Sequence, residues 1–267
     1  MVQKNWPFFL SMTSVNKILQ PGKKAYFASD FHLGSPNWED SRKRENKIVR
    51  WLDSISHDCQ YLFLVGDLFD FWFEYPHVIP KGFVRFQGKL AELADKGVEL
   101  HIFTGNHDMW MFGYFEKELG AVLHREPIRL ALGNQVILVG HGDGLGPGDR
   151  TYKFLKNVFA NPLCQWTFGW LHPNIGMWIA NKWSGHSRLA NHKDEVYKGD
   201  NEWLWQYCKE VESHTHHDYY IFGHRHLHLN LEVGDKARYI NVGEWYSGSY
   251  YIGTDGLELS VNVFESK

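Results

Sequence analysis

Five times along the chain, a short apolar run ends in a small residue or turn that leads directly to a side chain able to bind a metal. KAYFASD leads to Asp30, YLFLVGD to Asp67, VELHIFTGN to Asn106, QVILVGH to His141 and DYYIFGH to His224. Each run is rich in Val, Ile, Leu, Phe and Tyr and bounded by Gly or Asp, which reads as a buried strand. Helical patterns lie between them. ENKIVRWLDSIS (45–56) places Ile48, Trp51, Leu52 and Ile55 on one stripe. FVRFQGKLAELADKG (83–97) does the same with Leu90, Leu93 and Ala94, and stops at Gly97 as a C-cap. Strands alternating with helices predict an α/β fold, in α+β layers around a sheet. Ligand-type residues at strand C-termini sit where open α/β sheets place their sites.

One segment breaks this rhythm. Residues 150–200 are helical in texture and aromatic, with Phe154, Phe159, Trp166, Phe168, Trp170, Met177, Trp178 and Trp183. They fall between two site strands, so we read an inserted helical cap. Its aromatics serve either to pack it onto the body or to form a surface for an apolar ligand. The expected division is a leader at 1–22, poorly ordered, a core at 23–149 and 201–267, and the cap at 150–200. Residues 1–24 show no basic stretch followed by an apolar one, so no secretory signal is read. No apolar run reaches the length of a membrane span. A net charge of −3 gives no sign of a nucleic-acid binder. The three cysteines, Cys59, Cys164 and Cys208, are widely spaced and fit a reducing cytosol. Among the 16 histidines, His214, His216 and His217 in SHTHHD read as a solvated connection.

The five strand ends, SDFHLGS, GDLFDFW, GNHD, GHGD and GHRH, together offer Asp30, His32, Asp67, Asn106, His141, His224 and His226. Asp-x-His and His-x-His pairs at a strand end can both turn toward one point. Carboxylate and amide oxygens with imidazoles suit Mn, Fe, Zn, Co or Ni, and no thiolate competes. Seven ligands exceed the needs of one ion and suit two that share a carboxylate. Any one of these motifs alone is more often a turn. Five in order, each after a strand, are specific.

From Lys24 to about Gly253 this series resembles the calcineurin-like metallophosphoesterase superfamily. The resemblance implies a two-sheet β-sandwich flanked by helices, with a dinuclear centre at its edge. It implies one ion held by Asp30, His32 and His226, a second held by Asn106, His141 and His224, and Asp67 bridging them. It implies in-line attack on phosphorus by a metal-activated hydroxide, His107 acting on the phosphoryl group or leaving oxygen, and Asp108 orienting His107. Mn2+ is the ion expected from the resemblance, although the ligands alone would accept Fe or Zn.

GDLFDFW, HGDGLGPGDRTY (141–152), the cap and YINVGEW (239–245) resemble one branch, the UDP-2,3-diacylglucosamine pyrophosphatases of lipid A biosynthesis. That implies cleavage to UMP and 2,3-diacylglucosamine 1-phosphate, with substrate contacts from Asp149, Tyr152, Ser187, Asn191 and Lys193. Asp149 also reads as a helix N-cap before RTYKFL. The implied setting is the inner face of the cytoplasmic membrane, touched but not spanned, with Lys153, Lys156 and Lys182 facing anionic lipid. No nucleic acid and no obligate protein partner is expected. Where the branch carries arginine after the asparagine, this chain has His107. Arginine suits a phosphate leaving group, whereas histidine suits an alkoxide, which needs a proton. A soluble phosphoesterase acting on nucleotides or other mono- and diesters therefore stands as the alternative. A scaffold without turnover is disfavoured because all seven ligand positions are filled.

Overall fold

The computed structural model describes residues 12–147, 150–180, 182 and 196–265. Its strands form two six-stranded mixed sheets. One sheet runs in the order β12 (Leu259–Val263), β11 (Tyr250–Thr254), β2 (Lys24–Ala28), β3 (Cys59–Val65), β4 (Glu99–Phe103), β5 (Val122–His124). The other runs β1 (Ser14–Lys17), β6 (Ile128–Leu132), β7 (Gln135–Gly140), β8 (Tyr219–Phe222), β10 (Ala237–Val242), β9 (His228–Val233). β2, β3 and β4 are parallel neighbours, and so are β7 and β8. All five predicted site strands are present.

Side chains alternate across a strand, and each strand here uses both faces. Ala25, Phe27, Phe63, Val65, Ile137, Val139 and Ile221 point between the sheets and fill the sandwich core. Tyr26, Ala28, Leu62 and Leu64 point the other way, toward α1 (Trp38–Ile55) and α2 (Val84–Asp95), where they meet Ile48, Trp51, Leu90 and Leu93. Leu138, Tyr220 and Phe222 lie under α7 (Trp203–Glu212) on the outer face of the second sheet. Burial on both faces explains why the strands read as continuous apolar runs. This is the helix-flanked sandwich that the resemblance implies.

Two boundaries differ from expectation. The first strand begins at Ser14, inside the segment expected to be a leader, and pairs in parallel with β6. Its short, half-exposed sequence SVNK gives no strand signal, and its partner lies more than 100 residues away. Residues 1–11 lie outside the described residues. α1 starts at Trp38, seven residues before the expected start, because Asn37 caps it by accepting from the Asp40 N–H at 3.0 Å. That first turn carries no apolar stripe, and Trp38 is exposed. α2 ends as expected, with Gly97 at φ +86°, and the short α3 (Tyr114–Leu119) follows β4. Of the SHTHHD histidines, His217 is buried rather than solvated, with Nδ1 near the Thr215 carbonyl and the Tyr220 hydroxyl.

The expected cap contains α4 (Arg150–Ala160), α5 (Pro162–Gly169) and a helical stretch, α6, over 173–180. Its aromatics divide between the two expected roles. Phe168 packs on Phe71, Phe73 and Trp110, and the Trp110 indole N–H donates to the Phe159 carbonyl at 2.9 Å. Phe154, Trp166, Trp170 and Trp178 face outward, with 59–76% of their surface exposed. Trp183 lies outside the described residues.

Away from the site strands' ends, His101 and His124 stack at the β4–β5 edge, with Nδ1 and Nε2 2.9 Å apart. One nitrogen must donate and the other accept, so the pair cannot hold a proton on both facing atoms. Burial lowers both pKa values to about 4. Protons therefore bind the unfolded chain first as pH falls below 6.5. Stability contributed by the neutral pair is full above that value and is lost down to about pH 4. Urea midpoints measured from pH 7 to 4.5 should fall more steeply for the wild type than for His124→Phe. Equal slopes would remove the pair as a cause.

Candidate metal centre

The loops after β2, β3, β4, β7 and β8 converge at one edge of the sandwich. Backbone hydrogen bonds join the first two: Asp30 N–H donates to the Gly66 carbonyl at 3.1 Å and His32 N–H to the Asp67 carbonyl at 2.9 Å. The third loop joins through Asp67, whose Oδ1 accepts the His107 N–H at 2.9 Å. The fifth joins through Asp30, whose Oδ2 accepts the His224 N–H at 3.0 Å. Asp30, His32, Asp67, His224 and His226 all have left-handed φ, between +43° and +68°. Such residues carry a conformational cost, on the order of 1 kcal/mol or more each, that the surroundings must sustain.

The ligand atoms fall into two groups that share Asp67. Asp30, His32, Asp67 and His226 form one, with ligand atoms within 4.8 Å of one another. In it, the Nε2 atoms of His32 and His226 lie 2.9 Å apart, and His226 Nε2 is 3.3 Å from Asp30 Oδ1. Asp67, His141 and His224 form the other. Here Asn106 Oδ1 lies 2.8 Å from His224 Nδ1 and 3.3 Å from His141 Nε2, and His141 Nε2 is 3.2 Å from Asp67 Oδ2. His141 donates from Nδ1 to the Val65 carbonyl at 2.9 Å, which orients the ring so that Nε2, on giving up its proton, is the ligand atom. The structure thus brings together all seven expected ligands. Nitrogens and oxygens this close, with no thiolate, fit two divalent cations.

The electrostatics agree. Burial would raise the Asp30 carboxyl, but hydrogen bonds from His226 and His32 outweigh it and hold it well below the usual range. Burial would raise Asp67 as well, and the neighbouring His141 and His107 reverse the sign. Burial disfavours charge on His141, yet Asp67 pushes its pKa up to about 10. Two fully buried carboxylates here call for positive charge.

The orienting role expected of Asp108 is not what the geometry gives. Its buried carboxylate accepts from the Leu68 and Gly105 N–H groups, both at 2.7 Å, and so ties the β3 loop to the β4 loop. Burial, with Asp67 nearby, raises its pKa to about 7. His107 is held instead by Asp70, through Nδ1 to the Asp70 carbonyl at 3.0 Å, with the Asp70 carboxylate 4.0 Å away. Asp108 follows His107 in sequence but the chain turns between them, so adjacency misled. Asp70 was legible as the second carboxylate of GDLFD. Tyr152 falls in α4, whereas Asp149, Ser187, Asn191 and Lys193 lie outside the described residues.

Arg44 is a further residue that the sequence did not disclose. Buried in α1, it donates from Nε to the Phe31 carbonyl and from Nη2 to the His32 carbonyl, both at 2.6 Å, and stacks on Tyr246. It braces the loop that carries two ligands.

Comparison with curated proteins gives one result that decides the family. A UDP-2,3-diacylglucosamine hydrolase of Porphyromonas gingivalis is 38% identical over 256 residues, covering 91% of this chain and 98% of that protein. The chain belongs to the UDP-2,3-diacylglucosamine hydrolase family. Relatives with the same description in Shewanella baltica and Azotobacter vinelandii are 25% and 26% identical, over 91% and 88% of this chain and 98% and 96% of theirs. No protein-family model matches the chain. Among solved structures, Yfce, a phosphoesterase from E. coli, overlays with a TM-score of 0.43 at 16% identity, over 91% of this chain and 97% of that one.

In this member of the family, two glycines leave room for the shared and terminal carboxylates. A Cβ on Gly105 would overlap the Asp67 side chain, and one on Gly223 would overlap Ser29 and Asp30. Gly105→Ala should therefore weaken divalent-cation binding at both groups, and Gly223→Ala mainly at the Asp30 side. A loss of about tenfold or more is expected from calorimetric titration. Wild-type affinity in both variants would show that neither carboxylate needs its present place.

Proposed function

We propose that the chain hydrolyses the diphosphate of UDP-2,3-diacylglucosamine, giving UMP and 2,3-diacylglucosamine 1-phosphate, with two divalent ions, Mn2+ in the cell. The observation that carries this reading is the two-cluster site sharing Asp67, set in a chain that aligns over 91% of its length with a hydrolase of that name. When bound, a pair of divalent ions supplies Lewis acidity to the phosphoryl oxygens and activates the attacking water.

The chain's own residues position and polarise. His107 is partly exposed and must donate from Nδ1 to the Asp70 carbonyl, because that oxygen can only accept. A neutral His107 then presents Nε2 as an acceptor. It can give a proton to a leaving oxygen only as an imidazolium. A phosphate leaving group needs no such proton, so histidine at this position is compatible with diphosphate cleavage. As an imidazolium it supplies the positive charge that arginine gives elsewhere in the branch.

The outward tryptophans of the cap favour a lipid over a soluble substrate. Trp166 and Trp170 contact each other at 5.9 Å between ring centroids, and Lys182 lies 4.5 Å from the Trp178 ring centroid. Aromatic rings with lysines beside them suit the boundary of an anionic bilayer. Among the described residues no helix is long and apolar enough to cross a membrane. The reading is of a peripheral protein on the cytoplasmic face, with the cap against the lipid. Sedimentation with anionic vesicles should carry down the wild type and leave Trp166→Ser/Trp170→Ser in solution. Equal recovery of both in the pellet would move the contact elsewhere.

Turnover tests the assignment directly. Metal-free protein given Mn2+ should release UMP from UDP-2,3-diacylglucosamine in detergent micelles. Asp67→Ala should abolish this, and His107→Gln should lower kcat by roughly a hundredfold, as loss of one group acting on transition-state charge does elsewhere. Hydrolysis of bis-p-nitrophenyl phosphate without UMP release would sink the lipid assignment and leave the soluble phosphoesterase.

A further inference from the structure

Among the described residues, three rings meet the imidazole of His32. His226 lies with its centroid 4.8 Å away, His107 at 4.9 Å and Tyr246 at 5.7 Å. His226 is a candidate ligand of the first group, and His107 acts on the phosphoryl group in the reading above. Tyr246 stands nearly as close to His32 as either, and its stack on Arg44 does not account for that place.

The turn that carries Tyr246 is fixed to the site. The Glu244 carboxylate accepts the Tyr246 N–H, the Ser247 N–H at 3.1 Å and the Ser247 hydroxyl at 2.6 Å. Trp245 is buried against Phe31 and Trp51, and its N–H donates to the Asp30 carbonyl at 3.2 Å. The backbone beside Tyr246 is therefore tied to the backbone of a candidate ligand.

The protein grips this ring by its faces. The Arg44 guanidinium lies over it, 4.1 Å from the centroid, and the His32 imidazole stacks on it with 27° between the planes. A ring held in this way presents its edge, and the edge carries the hydroxyl. Tyr246 is 39% exposed, whereas His32 is 1% exposed. The tyrosine thus forms part of the mouth of the first group.

Arg44 gives that hydroxyl a chemical purpose. Its donors go to the carbonyls of Phe31, His32 and Ser35, which satisfy the guanidinium without cancelling its charge. A cation over a phenol ring draws electron density from it and strengthens the O–H as a donor. A strong, prepositioned donor at the mouth of a phosphoryl-transfer site suits an oxygen that gains charge in the transition state.

We propose that the Tyr246 hydroxyl donates a hydrogen bond to a non-bridging oxygen of the phosphoryl group under attack, from the His32 side of the site. The hydroxyl keeps its proton throughout. Tyr246 is then a catalytic residue, and Arg44 is a positioning residue that acts through it. The inference rests on the phosphoryl-transfer part of the reading above and applies to a diphosphate or a diester alike.

The test uses the full-length Mn2+-loaded protein with bis-p-nitrophenyl phosphate as substrate. Orthovanadate serves as a mimic of the five-coordinate transition state, with inorganic phosphate beside it. Tyr246→Phe keeps the ring on Arg44 and His32 and removes only the hydroxyl. Glu244 and Trp245 hold the turn, so the variant keeps its fold. It should lower kcat about tenfold, the worth of one hydrogen bond, and leave KM unchanged. Inhibition by vanadate should weaken by about the same factor, and inhibition by phosphate by less. Mn2+ affinity by calorimetric titration should match the wild type. Wild-type kcat and vanadate inhibition in Tyr246→Phe overturn the proposal. A fall in kcat matched by an equal fall in Mn2+ affinity also overturns it, because the hydroxyl would then only support His32. UMP release from the lipid substrate is scored separately. Its absence in the wild type, with the Tyr246→Phe effects present, overturns the lipid assignment and leaves the hydroxyl contact standing. Its presence with no Tyr246→Phe effect overturns the contact alone.

Discussion

The buried carboxylate of Asp67 is the interaction on which the site depends. It belongs to both ligand groups, accepts the His107 N–H, and faces His141 at 3.2 Å. Nothing in the interior would tolerate it without positive charge around it. The chain around it is shaped accordingly. Asp67 sits at φ +52°, its neighbour Gly66 is pressed against His141, and Gly105 leaves no room for a side chain on the opposite flank. Asp30 repeats the pattern one strand away, fully buried and flanked by His32 and His226.

This strain is sustained from outside the site. Arg44 holds the carbonyls of Phe31 and His32 from α1, and Asp108 clamps Leu68 to Gly105. Arg225, between the two histidines of GHRH, is locked by Glu202 Oε1 at 2.6 Å and Oε2 at 3.1 Å, both residues being buried. Its guanidinium also reaches the Val196 carbonyl and stacks on Trp203, where the cap segment returns to the body. The ligand loops are thus braced by helix, neighbouring loop and cap return, three directions that share no covalent path near the site.

What the sequence revealed and what it hid follow one physical division. The seven candidate ligands are legible because each sits at or just past the end of a buried strand, where an apolar run makes a polar residue conspicuous. Asp70 is visible too, three residues after Asp67 in GDLFD. Arg44, Arg225 and, on its Leu68 side, Asp108 act through contacts 9–40 residues distant, and a helical stripe gives no hint of them. β1 was hidden because SVNK has neither length nor alternation, and its strand character comes only from β6. The mixed role of the cap's aromatics was likewise beyond the sequence, since a tryptophan that packs and one that faces water are spelled alike.

The spacing of the ligands has a consequence for how the protein comes into being. Asp30 and His226 share one group though they lie 196 positions apart by number, and His224 donates to Asp30 across 194 residues. The first ligand leaves the ribosome long before the last, and neither sheet alone carries a full set. A nascent chain or proteolytic half cannot assemble either group as it stands here. A full candidate ligand set for either ion is therefore assembled only once the two sheets have docked.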